Sequence, residues 1–409
     1  MTCPGSYRKS VLPQIFNNEA DAERRRVDLN DLVHPKEWAD MSHINDSSQI
    51  DDCFKVLLDY KAFCNVSRAG TGKSYNIMRI EEKFKERFPD ATIIKIAFTN
   101  KAAINIGGTT IHKFLKLDSS LKITSSAIKV LKHKTVLIMV DEMSMISKDL
   151  WRLLVEVKRH LPKSYWILCG DYRQVPPVEK VTKWLDYFNC SAVKYLANYT
   201  RIEFKVRQRY DEHLWDAAEI VWNDGIIPDT VKRVKEDIDF LKGKRIIVYT
   251  NATRKRLNKL LNDLHSADEE DVVELPYDGE AEINQDAKLY VGCPVMAIMN
   301  KKGEEDMDLV NNEDFTIQYA DYGEINVMSM RPSENGGVEE HTFQFATEDF
   351  HKYFVLNYAA TVHKSQGQTI DNDIVIYETE KMDKNLLYTA ITRAKKLSQV
   401  NVIECPTQS

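Results

Sequence analysis

Short, nearly unbroken apolar runs recur along the chain, at residues 91–98, 135–140, 165–169, 245–249 and 374–377, and each gives way to a polar cluster. Runs without polar alternation suit strands covered on both faces, the environment of a parallel sheet. Helical patterns lie between them, clearest at Leu257, Leu260, Leu261 and Leu264, whose spacing puts all four on one face. Strands alternating with helices predict an α/β fold whose ligand sites gather beyond the carboxyl ends of the strands. Over 315–345 the period changes. Residues 315–319, 325–330 and 341–345 alternate, parted by the turn signals Asp321-Tyr322-Gly323 and Asn335-Gly336-Gly337. That pattern predicts antiparallel strands, read as a small barrel inserted at 311–345. Residues 1–48 carry the charged run Asp21-Ala22-Glu23-Arg24-Arg25-Arg26 and no sustained period. They read as a loosely held extension, either solvated or a basic arm touching nucleic acid.

The run Ser67-Arg68-Ala69-Gly70-Thr71-Gly72-Lys73-Ser74 follows the apolar stretch 62–66 and leads into a helix-forming segment. Between strand and helix, such a run is a phosphate-binding loop. The backbone N–H groups of Ala69, Gly70, Thr71 and Gly72 wrap the phosphates, Lys73 spans the outer ones, and the Ser74 hydroxyl ligates Mg²⁺. The usual pattern begins with Gly where this chain has Ser67, followed by Arg68.

Asp141-Glu142 stands at the end of the run 135–140. The pair suits hydrolysis, with Asp141 holding Mg²⁺ through its water shell while Glu142 deprotonates the attacking water. The next run ends in Gly170-Asp171-Tyr172-Arg173-Gln174-Val175-Pro176-Pro177, where the Gln174 amide has the reach to sense a γ-phosphate. Further clusters follow. They are Phe98-Thr99-Asn100-Lys101-Ala102-Ala103, Thr109-Thr110-Ile111-His112-Lys113-Phe114, Val206-Arg207-Gln208, Tyr249-Thr250-Asn251, Thr361-Val362-His363-Lys364-Ser365-Gln366-Gly367-Gln368-Thr369 and Leu387-Tyr388-Thr389-Ala390-Ile391-Thr392-Arg393-Ala394.

In this order the set resembles superfamily 1 helicases, and within them the PIF/RecD/Dda branch of 5′-to-3′ DNA helicases, over roughly residues 49–403. The resemblance implies two RecA-like parallel-sheet domains in tandem, the first at 49–200 and the second at 201–310 and 346–409. It also implies an SH3-like barrel inserted at 311–345 and a short wedge insertion near 118–126. ATP would lie between the two domains, with Arg207 and Arg393 reaching the γ-phosphate, Gln366 and Gly367 beside it, and Gln49 recognising adenine. Gln49 also reads as a helix cap or a solvent-exposed side chain. Single-stranded DNA would be gripped by Thr99, Asn100, His112 and Lys113 in the first domain and by Asn251, Thr361 and His363 in the second. Phe114 reads as a core anchor rather than a base-stacking ring. With a wedge this short, translocation is better supported than strand separation.

Composition alters little. The 409 residues carry a formal net charge of -6, which neither advertises nor excludes a polyanion, since binding depends on a local basic lining. The seven cysteines form no C-x-x-C pair and read as reduced thiols. No run approaches membrane-spanning length and the first residues lack a secretory core, so a soluble intracellular protein is expected. The resemblance implies a monomeric motor on DNA and leaves replication, repair and recombination open as its setting. The length and the departures at Ser67 and Arg68 point to a viral or phage source. Two other readings stay open: an RNA helicase of the viral superfamily 1 type, and a nucleotide-dependent switch or scaffold that does not translocate.

Overall fold

The computed structural model describes residues 37–116, 128, 130–176, 190–301, 308–333 and 337–404. The expected extension through residue 36, the wedge segment 118–126, Pro177 at the end of the run that begins at Gly170, and the turn residues Asn335 and Gly336 lie outside the described residues, as do Cys3 and Cys405. The chain divides into two compact units. The first comprises residues 1–99, 108–172 and 177–206; the second comprises 100–107, 173–176 and 207–409.

In the first unit the strands β1 (Ala62–Asn65), β2 (Thr92–Ala97), β3 (Thr109–Thr110), β4 (Val136–Asp141), β5 (Ser164–Cys169) and β6 (Arg201–Ile202) form one sheet in the order β3-β2-β4-β5-β1-β6. Every pairing is parallel. The apolar runs explain the centre of the sheet, because all residues of β1 and β4 are buried. One face is covered by the helix Lys73–Arg87, which buries Ile77, Ile80 and Phe84 against Phe63, Leu137 and Ile167. The helix Lys148–His160, capped by the Ser147 hydroxyl on Leu150 N, packs Leu150, Trp151 and Leu154 with Ala62, Ile138 and Trp166. Phe114 packs against that second core.

Lys158 on the same helix donates to Tyr195 O, Leu196 O and Asn198 Oδ1 at 2.9, 2.7 and 2.7 Å. Burial draws its pKa down from 10.5 to about 7. The unfolded chain then binds the proton more readily between those two values, so stability rises with pH through that window. Between about pH 7.5 and about 9.5 the wild-type melting midpoint should gain on that of Lys158→Met. Parallel curves would show that the folded amine keeps its ordinary titration.

In the second unit β7 (Lys232–Val234), β8 (Arg245–Val248), β16 (Ala359–Thr361), β17 (Ile374–Ile376) and β18 (Val400–Ile403) make a parallel sheet in the order β16-β8-β17-β18-β7. The leucine face found in sequence belongs to the helix Asn251–Ser266, where Leu257 and Leu261 are buried and Leu260 and Leu264 pack beside them. A hairpin of β9 (Val273–Leu275) and β10 (Ala287–Leu289) precedes an antiparallel sheet ordered β14-β13-β12-β11-β15. Its strands are β11 (Pro294–Ala297), β12 (Asp314–Ala320), β13 (Glu324–Pro332), β14 (Val338–Ala346) and β15 (Phe354–Leu356), so β11 and β15 lie beyond the 311–345 marked by alternation. Inward Phe315, Ile317, Ile325, Val327 and Phe345 alternate with more exposed neighbours, which is why this region has period two. No described helix is long and apolar enough to cross a membrane.

Candidate nucleotide site

The loop between β1 and the helix Lys73–Arg87 is shaped by two glycines with positive φ, Gly70 at 78° and Gly72 at 86°. A side chain at either position would be strained, and the reward for glycine is a run of backbone N–H groups turned to one side. One of those donors is engaged by an anion from the protein itself, since Ala69 N donates to Asp171 Oδ2 at 2.6 Å. The Lys73 ammonium folds back on Ser67 O and Arg68 O at 2.7 and 2.8 Å. A carboxylate on the loop amide and an ammonium within the loop are what an anion-binding turn looks like when its own chain supplies the charges. Ser74 is exposed at the first turn of the helix. A triphosphate fits these groups. The oxygen donors that Mg²⁺ would take are the hydroxyl of Ser74 and the carboxylate of Asp141.

Asp141 closes β4 and Glu142 follows in the left-handed region, φ 50° and ψ 44°. That backbone turn brings the Glu142 N–H onto Asp141 Oδ1 at 2.9 Å. Burial pushes the Asp141 carboxyl above its usual range, against the pull of the Glu142 amide and the Lys73 charge. Asp171 had no role in the sequence reading. Its partner Ala69 lies 102 residues away, so only the adjacency of β1 and β5 reveals the contact. Asp171→Asn keeps an acceptor for Ala69 and removes a charge that competes with phosphate. Nucleotide affinity should tighten by about three- to tenfold, the difference between a charged and a neutral hydrogen bond. Titration with a fluorescent ADP checks this, and unchanged or weaker binding would refute the competition.

Residues Arg173–Pro176 follow β5 in the chain but cluster with the second unit. There Val175 N donates to Thr389 Oγ1 at 3.1 Å, and Asn385 Nδ2 donates to Arg173 O and Gln174 O at 3.0 and 3.1 Å. Thr389 also receives Arg393 Nε on its carbonyl at 2.9 Å, while Arg393 Nη1 donates to Gln368 O at 3.0 Å. Val175, next to Gln174, and Arg393 are thereby tied through one threonine, and Arg393 to Gln368, which follows Gln366 and Gly367. Thr389, quoted in the last cluster without a role of its own, and Asn385, outside every cluster, thus join the site through the fold. Gln174 Oε1 and both amide atoms of Gln366 are buried without a hydrogen-bond partner among the described residues. Buried amides left unpaired are costly, which fits groups held ready for a ligand. Arg207 is half-exposed and 3.6 Å from Glu212.

Gln49 directly precedes the helix Ile50–Tyr60. Its Oε1 accepts from Asn45 N and Asp46 N at 2.9 and 3.0 Å, and its Nε2 donates to His43 O at 3.1 Å. The side chain is engaged by the turn before it.

Of the residues expected on nucleic acid, Thr99, His112 and Lys113 fall in the first unit and Asn100, Asn251, Thr361 and His363 in the second. Asn100 Nδ2 meets Asn300 Oδ1 at 3.1 Å, and exposed Asn251 accepts from Arg254 Nε at 3.3 Å. Thr361 is buried, whereas His112, Lys113 and His363 are exposed. Although both residues are exposed overall, partial desolvation of the ring lowers the pKa of His112 and His363, so at neutral pH they offer hydrogen bonds rather than positive charge.

A family model described as an AAA domain matches residues 55–180, and one described as a UvrD-like helicase C-terminal domain matches residues 356–400. The ATP-dependent DNA helicase PIF1 of Xenopus laevis is 23% identical over 380 residues, covering 82% of this chain and 58% of that protein. The chain thus spans less than two thirds of that relative. The crystal structure of Pif1 helicase from Candida albicans superposes with a TM-score of 0.64 at 21% identity, covering 87% of this chain and 94% of that one. Pif1 helicase from Bacteroides, solved in complex with ADP-AlF3 and ssDNA, superposes with a TM-score of 0.59 at 20% identity over 87% of this chain and 91% of that one. The fold is that of the Pif1 helicases.

Proposed function

We propose that this protein is an ATP-dependent helicase that moves 5′-to-3′ on single-stranded DNA as a monomer, a Pif1-like member of superfamily 1. One observation carries the reading. A glycine-rich loop leaves β1 and an acidic pair leaves β4 of one parallel sheet, while in the second unit Val175, the neighbour of Gln174, and Arg393 both bond to Thr389. The names and contents of the similar structures, which include a nucleotide mimic and ssDNA in one case, support the same reading.

Lys73 and the loop amides bind the triphosphate, and Ser74 with Asp141 would hold Mg²⁺, which supplies charge neutralisation at the phosphates. Glu142 takes the proton of the attacking water. Gln174, Gln366, Arg207 and Arg393 sense the terminal phosphate, and release of that contact after hydrolysis shifts one nucleic-acid grip against the other. The grips are Thr99, His112 and Lys113 on one side and Asn100, Asn251, Thr361 and His363 on the other. The antiparallel sheet from Pro294 to Leu356 is the counterpart of the inserted barrel.

The test is phosphate release with deoxy or ribo homopolymers, together with unwinding of forks bearing only a 5′ or only a 3′ tail. Stimulation by DNA and unwinding from the 5′ tail are expected. Activity confined to the 3′ tail would reverse the polarity. Preference for the ribo polymer would make the track RNA, and stimulation by neither would make the protein a nucleotide switch.

A further inference from the structure

Ser67 stands where phosphate loops of this pattern carry glycine, and it is fully buried. Its hydroxyl donates to Asn65 Oδ1 and accepts from Phe204 N at 2.5 Å. Phe204 begins the short segment that runs through Lys205 and Val206 into Arg207. The same segment is held a second time, by Lys205 N donating to Asn45 O at 2.7 Å, and Asn45 is in turn fixed by the Gln49 side chain. Asn76, on the helix that follows the loop, adds a bond to Ser47 O at 3.0 Å. Hydrogen bonds therefore join the phosphate loop, its helix, the turn 43–49 and the strand exit 204–206 into one frame within the first unit.

We infer that Ser67 is a positioning residue that couples the filling of the phosphate loop to the segment entering Arg207. This deepens the helicase reading and rests on it. The carbonyl of Ser67 is one of the two acceptors that hold the Lys73 ammonium, while its hydroxyl holds Phe204. When Lys73 turns to phosphate it must release that carbonyl, and the peptide that reorients belongs to the residue gripping Phe204. Glycine has no side chain to carry the effect further, and alanine has no acceptor. Because Ser67 and Phe204 are both buried, solvent does not compete for the Phe204 N–H, so the bond transmits displacement instead of exchanging partners.

The test compares the wild type with Ser67→Ala and with Ser67→Gly, the residue usual at this position, so that a failure of one variant to fold leaves the other to decide. Two readouts are needed: amide hydrogen exchange over residues 203–208 with and without ADP, and steady-state hydrolysis with and without single-stranded DNA. Exchange at Phe204 should accelerate by about tenfold in the variants, the rate equivalent of one buried hydrogen bond. ADP should slow exchange in the wild type and leave the variants unchanged, and DNA-stimulated kcat should fall by more than KM for ATP rises. Equal Phe204 protection and an equal response to ADP in all three proteins would overturn the coupling. An intact exchange result in a wild-type protein whose hydrolysis ignores DNA would sink the helicase reading instead.

Discussion

Lys73→Ala should lower ATP hydrolysis by about 10²- to 10³-fold, the range for removing one preorganised charged donor from a developing oxyanion. The fold should survive. Lys73 is half-buried, and among the described residues its ammonium donates to Ser67 O and Arg68 O, two carbonyls of the loop it belongs to. Removing it frees two carbonyls of a part-buried loop, while the helix Lys73–Arg87 stays anchored by Ile77, Ile80 and Phe84. Loss of turnover together with an unchanged melting curve is the expected pair of results. Residual hydrolysis above about a tenth of wild type would mean that the loop is not the catalytic phosphate site.

Glu142→Gln should separate binding from hydrolysis. Glutamine keeps the length of the side chain and the backbone turn but cannot accept a proton, so turnover should fall by about 10²- to 10⁴-fold, the contribution of a positioned general base. Nucleotide affinity should hold, because Asp141 and the loop amides are untouched. Binding of single-stranded DNA in the presence of ATP should become long-lived, since the state before hydrolysis accumulates. Equilibrium binding of a labelled nucleotide, read beside phosphate release, checks this. Parallel loss of both would assign Glu142 to the binding shell instead.

The strands were legible because a strand covered on both faces must be apolar throughout: β4 is buried at every position and its run stands out in the sequence. β7 was not legible, since Lys232 and Arg233 are exposed on a sheet edge and read as loop. The phosphate loop was legible for a local reason, as its donors, lysine and hydroxyl lie within eight consecutive residues. The partners that tune it were not. Asp171 reaches Ala69 across 102 positions and Ser67 reaches Phe204 across 137, and no spacing rule encodes contacts made through sheet order. Gln49 illustrates the converse. Its side-chain partners lie within six residues, yet the residue type alone did not reveal that its amide is engaged locally.

The left-handed backbone at Glu142 has an evolutionary consequence. A glutamate there costs on the order of 1 kcal/mol or more that glycine would not. Drift toward heat resistance therefore presses on this codon in the direction that removes the carboxylate. A lineage that retains the acid does so against that pressure, and thermostable descendants of this chain would have to find their gains elsewhere.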